Sequence, residues 1–384
     1  MTAPLGVYVH WPYCARICPY CDFNVYRDRN QPLRAAALVQ AIEDDLAAQA
    51  ALIGPRELIS IFFGGGTPSL MAPEAVAAII GRARALWPSA GEVEVSLEAN
   101  PTDAEAARFA AFADAGVNRL SLGLQSLDDT ALRFLGRNHD AATGRRAALA
   151  AVQAFGRVSI DLIYARPGQT EAAWRAELGA ALDLGAEHVS PYQLTIEPGT
   201  AFELSMRRGR LVPPHEDLAA DLYEATQAVL EAAGFEAYEV SNHARGPSAR
   251  SRHNLVYWTG ADYVGVGPGA HGRLTHDRVR HATVAAARPD DYMASVQNHG
   301  VGFASEELLT PVEAAQERLI MGLRIEAGVG FAELAALGLS PTHAKVMELR
   351  DLGLIAADDE RLRVTRAGRQ VLNRIAGDLA DDAA

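Results

Sequence analysis

At 384 residues and roughly 150 residues per domain, the chain has room for two or three domains and a large buried core. Its 49% apolar and 22% charged residues are those of a folded globular protein, which excludes a disordered or low-complexity chain. Thirty-five basic against 48 acidic side chains leave a net charge of −13, which opposes bulk binding to a phosphate backbone, so no nucleic-acid partner is expected.

Through the first half of the chain, short β-branched runs alternate with longer Ala/Leu-rich segments at helical spacing. Strands are predicted over 5–10, 58–63, 93–98, 119–124, 158–164 and 189–195, and helices over 33–51, 73–86, 104–115, 141–155 and 171–184. Right-handed crossovers would wind these α/β units into a partial (β/α)6, TIM-like barrel over residues 1–205, whose working face lies at the carboxyl ends of its strands. The segments there are unusual: a cysteine loop after the first strand, Gly64-Gly65-Gly66-Thr67-Pro68 after the second, Glu98-Ala99-Asn100-Pro101 at the third and Gln125-Ser126 at the fourth. A Pro/Arg-rich stretch over 207–214 and a helix–strand unit over 216–240 open a barrel extension, taken as 206–305. From Thr310 the pattern turns helical again, and 352–355 with 362–365 predict a helix running into a small hairpin. Residues 306–384 therefore read as a smaller, mostly helical, winged-helix-like domain ending in a frayed acidic tail over 378–384. Its Arg361, Arg363, Arg366 and Arg369 are offset by Asp351, Asp358, Asp359 and Glu360, which favours packing or docking over DNA contact.

All the cysteines, Cys14, Cys18 and Cys21, fall in one loop as C-x-x-x-C-x-x-C. That excludes a disulfide framework and favours a metal site in a reducing compartment. The opening residues Met1-Thr2-Ala3-Pro4-Leu5 have no charged n-region or apolar h-region, and charges interrupt every apolar run before about 18 residues. A cytoplasmic location without a membrane span is the expectation. Three thiolates from one short loop suit an iron–sulfur cubane with one iron left open; a structural zinc with a distant fourth ligand is the alternative. The glycine run permits close ligand approach or is simply a tight turn.

The cysteine spacing, with Tyr20 before its last member, resembles the cluster loop of the radical S-adenosylmethionine (SAM) enzymes. Tyr8-Val9-His10-Trp11-Pro12-Tyr13-Cys14 followed by Cys18-Pro19-Tyr20-Cys21-Asp22-Phe23 is similar to the opening of their HemN/HemW group, which comprises oxygen-independent coproporphyrinogen III dehydrogenases and haem chaperones. The resemblance implies a 4Fe-4S cluster on Cys14, Cys18 and Cys21, with SAM on the open iron as a source of the 5′-deoxyadenosyl radical. It implies SAM contacts at Tyr8, Tyr20, Gly65, Gly66, Thr67, Glu98, Gln125, Arg137 and Asp161. The stretch Asp161-Leu162-Ile163-Tyr164-Ala165-Arg166-Pro167-Gly168-Gln169-Thr170 departs from the group's usual D-L-I-Y-G-L-P-G-Q-T at Ala165 and Arg166, which puts the local turn in doubt.

Two positions bear on the branch. The dehydrogenases extend the motif to a fourth cysteine where this chain has Phe23, a departure that resembles the chaperone branch. His253-Asn254-Leu255-Val256-Tyr257-Trp258 matches the H-N-x-x-Y-W segment associated with haem there, which makes His253, Tyr257 and Trp258 expected haem contacts. His243, His271 and His281 are competing ligands, and Arg245, Arg250 and Arg252 are candidate partners for propionates. Haem-recipient proteins, including membrane-associated respiratory ones met peripherally during transfer, are the implied partners. Coproporphyrinogen dehydrogenation and an iron-sensing DNA regulator are the alternatives, and a homodimer stays open. The loop Val264-Gly265-Val266-Gly267-Pro268-Gly269 lacks a dinucleotide-binding context and reads as part of the ligand pocket.

Overall fold

Along β1 (Pro4–Trp11), Val7 and Val9 point one way and Tyr8 and His10 the other, the two-residue alternation of an extended chain. It continues through β2 (Glu57–Gly65), β3 (Glu94–Ala99), β4 (Arg119–Gln125), β5 (Val158–Tyr164) and β6 (His188–Gln193). In the computed structural model, which describes residues 3–381, these six strands lie parallel in chain order. One face carries Val9, Ile61, Phe63, Val95, Leu97, Leu122, Ile160 and Val189, all fully buried in one apolar core. The opposite face carries Ser60, Glu94, Ser96, Arg119, Ser121, Ser159, His188 and Ser190, a buried polar interior where such barrels ordinarily place branched aliphatic side chains.

The covering helices start where the chain is set up for them. Proline occupies the first turn of α1 (Pro32–Ile53) and α2 (Pro73–Leu86), and Asp140 and Thr170 cap α4 (Ala141–Ala154) and α5 (Glu171–Leu182). The helix predicted over 104–115 is instead broken into a single turn, Asp103–Ala106, and α3 (Phe109–Asp114). At the break, the Arg108 guanidinium reaches across to donate to the carbonyls of Ser69 and Met71 in the loop after β2.

The extension joins the same sheet, which its sequence pattern did not reveal. After α6 (Glu216–Ala232), the short α7 (Arg252–Thr259) leads into β7 (Asp262–Val266), which pairs parallel with the free side of β1. Strands β8 (His271–His276), β9 (Val279–Ala285) and β10 (Phe303–Leu308) continue the sheet antiparallel, and His243–Ala244 pairs antiparallel with β6 at its other end. The hairpin between β8 and β9 turns on Asp277 and Arg278, both at positive φ as a two-residue primed turn requires. Helix α8 (Pro289–His299) precedes β10. The glycine loop after β7 is a packing turn and does not line the cavity described below: a Cβ at Gly267 would sit 2.2 Å from the His10 carbonyl oxygen.

Helices α9 (Pro311–Gly322), α10 (Ala344–Asp351) and α11 (Leu372–Asp381) enclose a second core of Leu319, Leu334, Val346, Ile375 and Leu379. The predicted hairpin is thinner than expected. Ile355 and Val364 make one bridge, while Arg361–Leu362 pairs with Val329–Gly330. Residues 378–381 belong to α11, and 382–384 lie outside the described residues. No described helix is long and apolar enough to cross a membrane.

Candidate functional site

The cysteine loop leaves the carboxyl end of β1 and is pinned at once, because Tyr13–Cys14 pairs parallel with Tyr26–Arg27 and the Cys21 N–H donates to the Cys18 carbonyl at 3.2 Å. All three thiols are free and line one end of a cavity of about 1100 Å³ at the carboxyl ends of the strands. Burial pushes the Cys14 and Cys21 thiols up, Cys21 to about 11, and their proximity to the other thiols adds to it. Three crowded thiolates are stable together only with a cation among them, so this donor set fits a metal cluster. Arg137 Nη1 lies 3.3 Å from Cys18 Sγ.

The glycine run lies directly beneath this loop. The Gly66 N–H donates to Trp11 O at 2.7 Å and the Thr67 N–H to Tyr13 O at 2.9 Å. A Cβ on Gly66 would come within 2.7 Å of the Tyr13 carbonyl oxygen, and one on Gly65 (φ 105°) within 2.5 Å of the His10 ring. The close approach anticipated for a ligand is made first of all by the chain's own cysteine loop. Thr67 Oγ1 also donates to Cys14 Sγ at 3.6 Å.

Behind the thiols the barrel interior supplies opposite charges. Glu98 and Asp161 are both half-buried and line the cavity. Desolvation and then the Asp161 charge push Glu98 up to about 8, although its Oε2 accepts the Gly65 N–H at 3.2 Å. Desolvation also raises Asp161, against hydrogen bonds from Ser121 Oγ at 2.8 Å and Ser159 Oγ at 3.0 Å. Two reluctant carboxylates favour a cationic ligand such as an ammonium group. The Arg137 guanidinium is held by Asn100 Oδ1 at 2.5 Å and Gly123 O at 2.9 Å, and reaches Tyr20 Oη at 3.4 Å. Gln125 lines the cavity from a left-handed backbone, φ 63°, at the end of β4.

Tyr8 is the exception among the expected SAM contacts. It lies beside the cavity-lining Phe62, at 6.3 Å between ring centroids, with its hydroxyl 3.0 Å from His10 Nδ1, and is not itself a lining residue. Asn100, Arg119, Tyr192, Asn242, Arg324 and Arg369 line the cavity without having been expected there. Asn100 stood in a quoted segment, and its place at a strand end was the available signal. Arg324 and Arg369 come from the C-terminal region and had no local signal at all.

The expected haem contacts lie away from the cavity. His253 opens α7, whose first backbone N–H groups, of Arg252 and His253, donate to the buried Glu94 carboxylate at 3.1 and 3.0 Å. Its ring is buried, stacked on Phe62 at 5.0 Å between centroids, with Nδ1 2.9 Å from Ser60 Oγ and Nε2 2.7 Å from Tyr257 Oη. Burial, with the Arg119 charge, outweighs the Glu94 charge and depresses it to about 3. Both ring nitrogens are therefore occupied, and none of His253, Tyr257 and Trp258 lines the cavity. The segment plugs the bottom of the barrel. Trp258 lies under the Arg324 guanidinium, 4.9 Å from the ring centroid. None of the three candidate propionate partners lines the cavity: Arg245 stacks on Phe235, Arg250 pairs with Glu236 at 3.1 Å, and Arg252 pairs with Glu92 at 3.6 Å. His243 is buried against Gln227 Oε1 at 3.2 Å.

A partial parallel barrel with three free thiols at its carboxyl mouth and half-buried carboxylates behind them defines the radical SAM class. The sequence pattern of the Radical SAM superfamily matches residues 8–178, and that of the HemN C-terminal domain matches 309–371. "Heme chaperone HemW" of Bacillus subtilis is 35% identical over 97% of this chain and 98% of its own length. "Radical S-adenosyl methionine domain-containing protein 1, mitochondrial" of Bos taurus is 41% identical over 96% of this chain and 86% of its own. Among solved structures, coproporphyrinogen III oxidase (HemN) from Escherichia coli superposes with a TM-score of 0.81 over 99% of this chain and 90% of that one, at 20% identity, a likeness of fold. The chain belongs to the HemN/HemW family of radical SAM proteins, in its HemW-type branch.

Proposed function

We propose that this chain is a haem chaperone that holds a 4Fe-4S cluster on Cys14, Cys18 and Cys21, binds SAM beside it, and passes haem to recipient proteins. The observation that carries the reading is the set of three free thiols at a cavity whose interior pairs raised carboxylates, Glu98 and Asp161, with the Arg137 guanidinium. Those groups suit the ammonium and carboxylate ends of an amino-acid ligand. When bound, such a cluster supplies an electron to SAM. This chain's own residues hold the thiols apart, set the half-buried carboxylates at the cavity wall and orient the ligand's charged ends. The cavity, at about 1100 Å³, exceeds the roughly 1000 Å³ of the larger small-molecule pockets, which leaves room for a second ligand. Ile17 and Phe23 offer exposed apolar surface to the cavity, and Arg369 offers positive charge among its lining residues, a pairing that suits an amphiphilic carboxylate such as haem. A cytoplasmic setting, with peripheral membrane contact when the recipient is a respiratory protein, belongs to the same proposal.

The test is an anaerobic absorbance titration of cluster-loaded protein with haem, with wild type compared against Phe23→Asp. Saturable binding weakened about tenfold by the exposed substitution supports the reading. Absence of wild-type binding, together with turnover of coproporphyrinogen III to protoporphyrinogen IX, replaces it with the dehydrogenase.

A further inference from the structure

On the antiparallel extension, far along the chain from the cysteine loop, two histidines and a glutamate converge. His276 ends β8, His281 lies on β9 and Glu306 on β10, all on the side of the sheet that carries the buried Leu274 and Thr283. Glu306 Oε1 stands 3.1 Å from His276 Nε2 and 3.0 Å from His281 Nδ1, and one nitrogen or oxygen from each of the three residues lies within 4.8 Å of the others. The imidazoles are stacked at 3.7 Å between centroids.

The His281 contact is short but is not a hydrogen bond: Nδ1 is buried and has no hydrogen-bond partner despite the oxygen 3.0 Å away. A donor aimed at its acceptor would be close to linear. Two ligands sharing one ion, each about 2.0–2.2 Å from it, stand roughly 3–3.5 Å apart with lone pairs converging on the ion and not on each other. Asp277 Oδ2 approaches Nδ1 of His276 at 3.4 Å while its Nε2 makes a 3.1 Å hydrogen bond with Glu306 Oε1, which turns Nε2 towards the cluster as in a metal-binding imidazole. The adjacent cations are committed elsewhere, Arg280 to Asp262 and Glu317, and Arg56 to the Thr275 carbonyl and Asp262.

We propose that His276, His281 and Glu306 bind one divalent first-row transition-metal ion of the zinc type, with water completing the coordination. Two imidazoles and a carboxylate are the donor set for such ions, and hard alkaline-earth cations prefer all-oxygen sites. The ion would tie the edge strand β10 to the β8–β9 hairpin.

The probe is cobalt(II), titrated anaerobically into the full-length, cluster-loaded protein so that the thiols are occupied, and followed by its visible ligand-field absorbance, with zinc(II) as displacer. One saturable equivalent without thiolate charge-transfer absorbance, displaced by zinc, lost in His281→Ala and weakened about 10- to 100-fold in Glu306→Gln, supports the site. Glu306→Gln, on the exposed edge strand, guards against a folding defect in the histidine variant. No saturable absorbance, binding unchanged in Glu306→Gln, or a band of thiolate character overturns it.

Discussion

Ser60 on β2 and His253 on α7, 193 residues apart in the chain, share a 2.9 Å contact between Oγ and Nδ1 inside the barrel. With Tyr257 Oη on the other ring nitrogen, this packs His253 of the H-N-x-x-Y-W segment into the barrel floor. His253→Ala should cost about 3 kcal/mol, because it opens a cavity and strands the Tyr257 and Ser60 hydroxyls. Urea denaturation checks this. Loss of haem binding in that variant is informative about ligation only when its stability is unchanged.

Ala165 is 1% exposed and sits at φ 59°, where only glycine is free of steric cost. Ala165→Gly should therefore stabilise the protein by about 1 kcal/mol, the relief of left-handed strain exceeding the added flexibility of the unfolded chain. A higher urea midpoint with an unchanged slope is the expected outcome.

The neighbouring departure, Arg166, is buried in a pair with Glu177, and both contact Ser126 in the loop after β4. The carboxylate also accepts the Leu127 N–H at 2.8 Å. Breaking the pair by Glu177→Ala should cost about 3–5 kcal/mol by leaving a buried guanidinium unpaired. Arg166→Leu combined with Glu177→Leu should cost distinctly less, which a double-mutant cycle measures.

Glu98 titrates near 8 in the folded chain, against 4.5 for the free side chain, so the folded state binds its proton more tightly than the unfolded state does. The stabilisation is complete below about pH 4.5 and is lost as pH rises towards 8. Each tenfold gain in proton affinity is worth about 1.4 kcal/mol, so the effect amounts to a few kcal/mol. Glu98→Gln should flatten the fall in unfolding free energy over that window, and saturating SAM, whose ammonium group favours the carboxylate form, should oppose the fall in wild type. Chemical denaturation at stepped pH reads both.

Arg137 joins the cysteine loop to the barrel through Cys18 Sγ, Asn100 Oδ1 and Gly123 O. Arg137→Lys keeps the charge but cannot make these contacts together. A loss of SAM affinity of about 10- to 100-fold, at one charged hydrogen bond of about 1.5–3 kcal/mol, is expected by equilibrium dialysis.

The parallel strands and their helices were legible because alternation and helical spacing are local, and a residue's face follows from its number. The thiol loop was legible for the same reason: three thiols within eight positions need no tertiary knowledge to be grouped. What the sequence by itself determined was thus the barrel, the three-thiol loop and the family they belong to. The tertiary structure alone decided the rest. Only it shows that α7 turns His253 into the barrel against Ser60, that Arg324 and Arg369 come from the C-terminal region to wall the cavity, and that His276, His281 and Glu306 meet on neighbouring strands. The reason is physical: which nitrogen of a histidine is free depends on partners brought from distant segments by burial and strand register, and no local pattern encodes either.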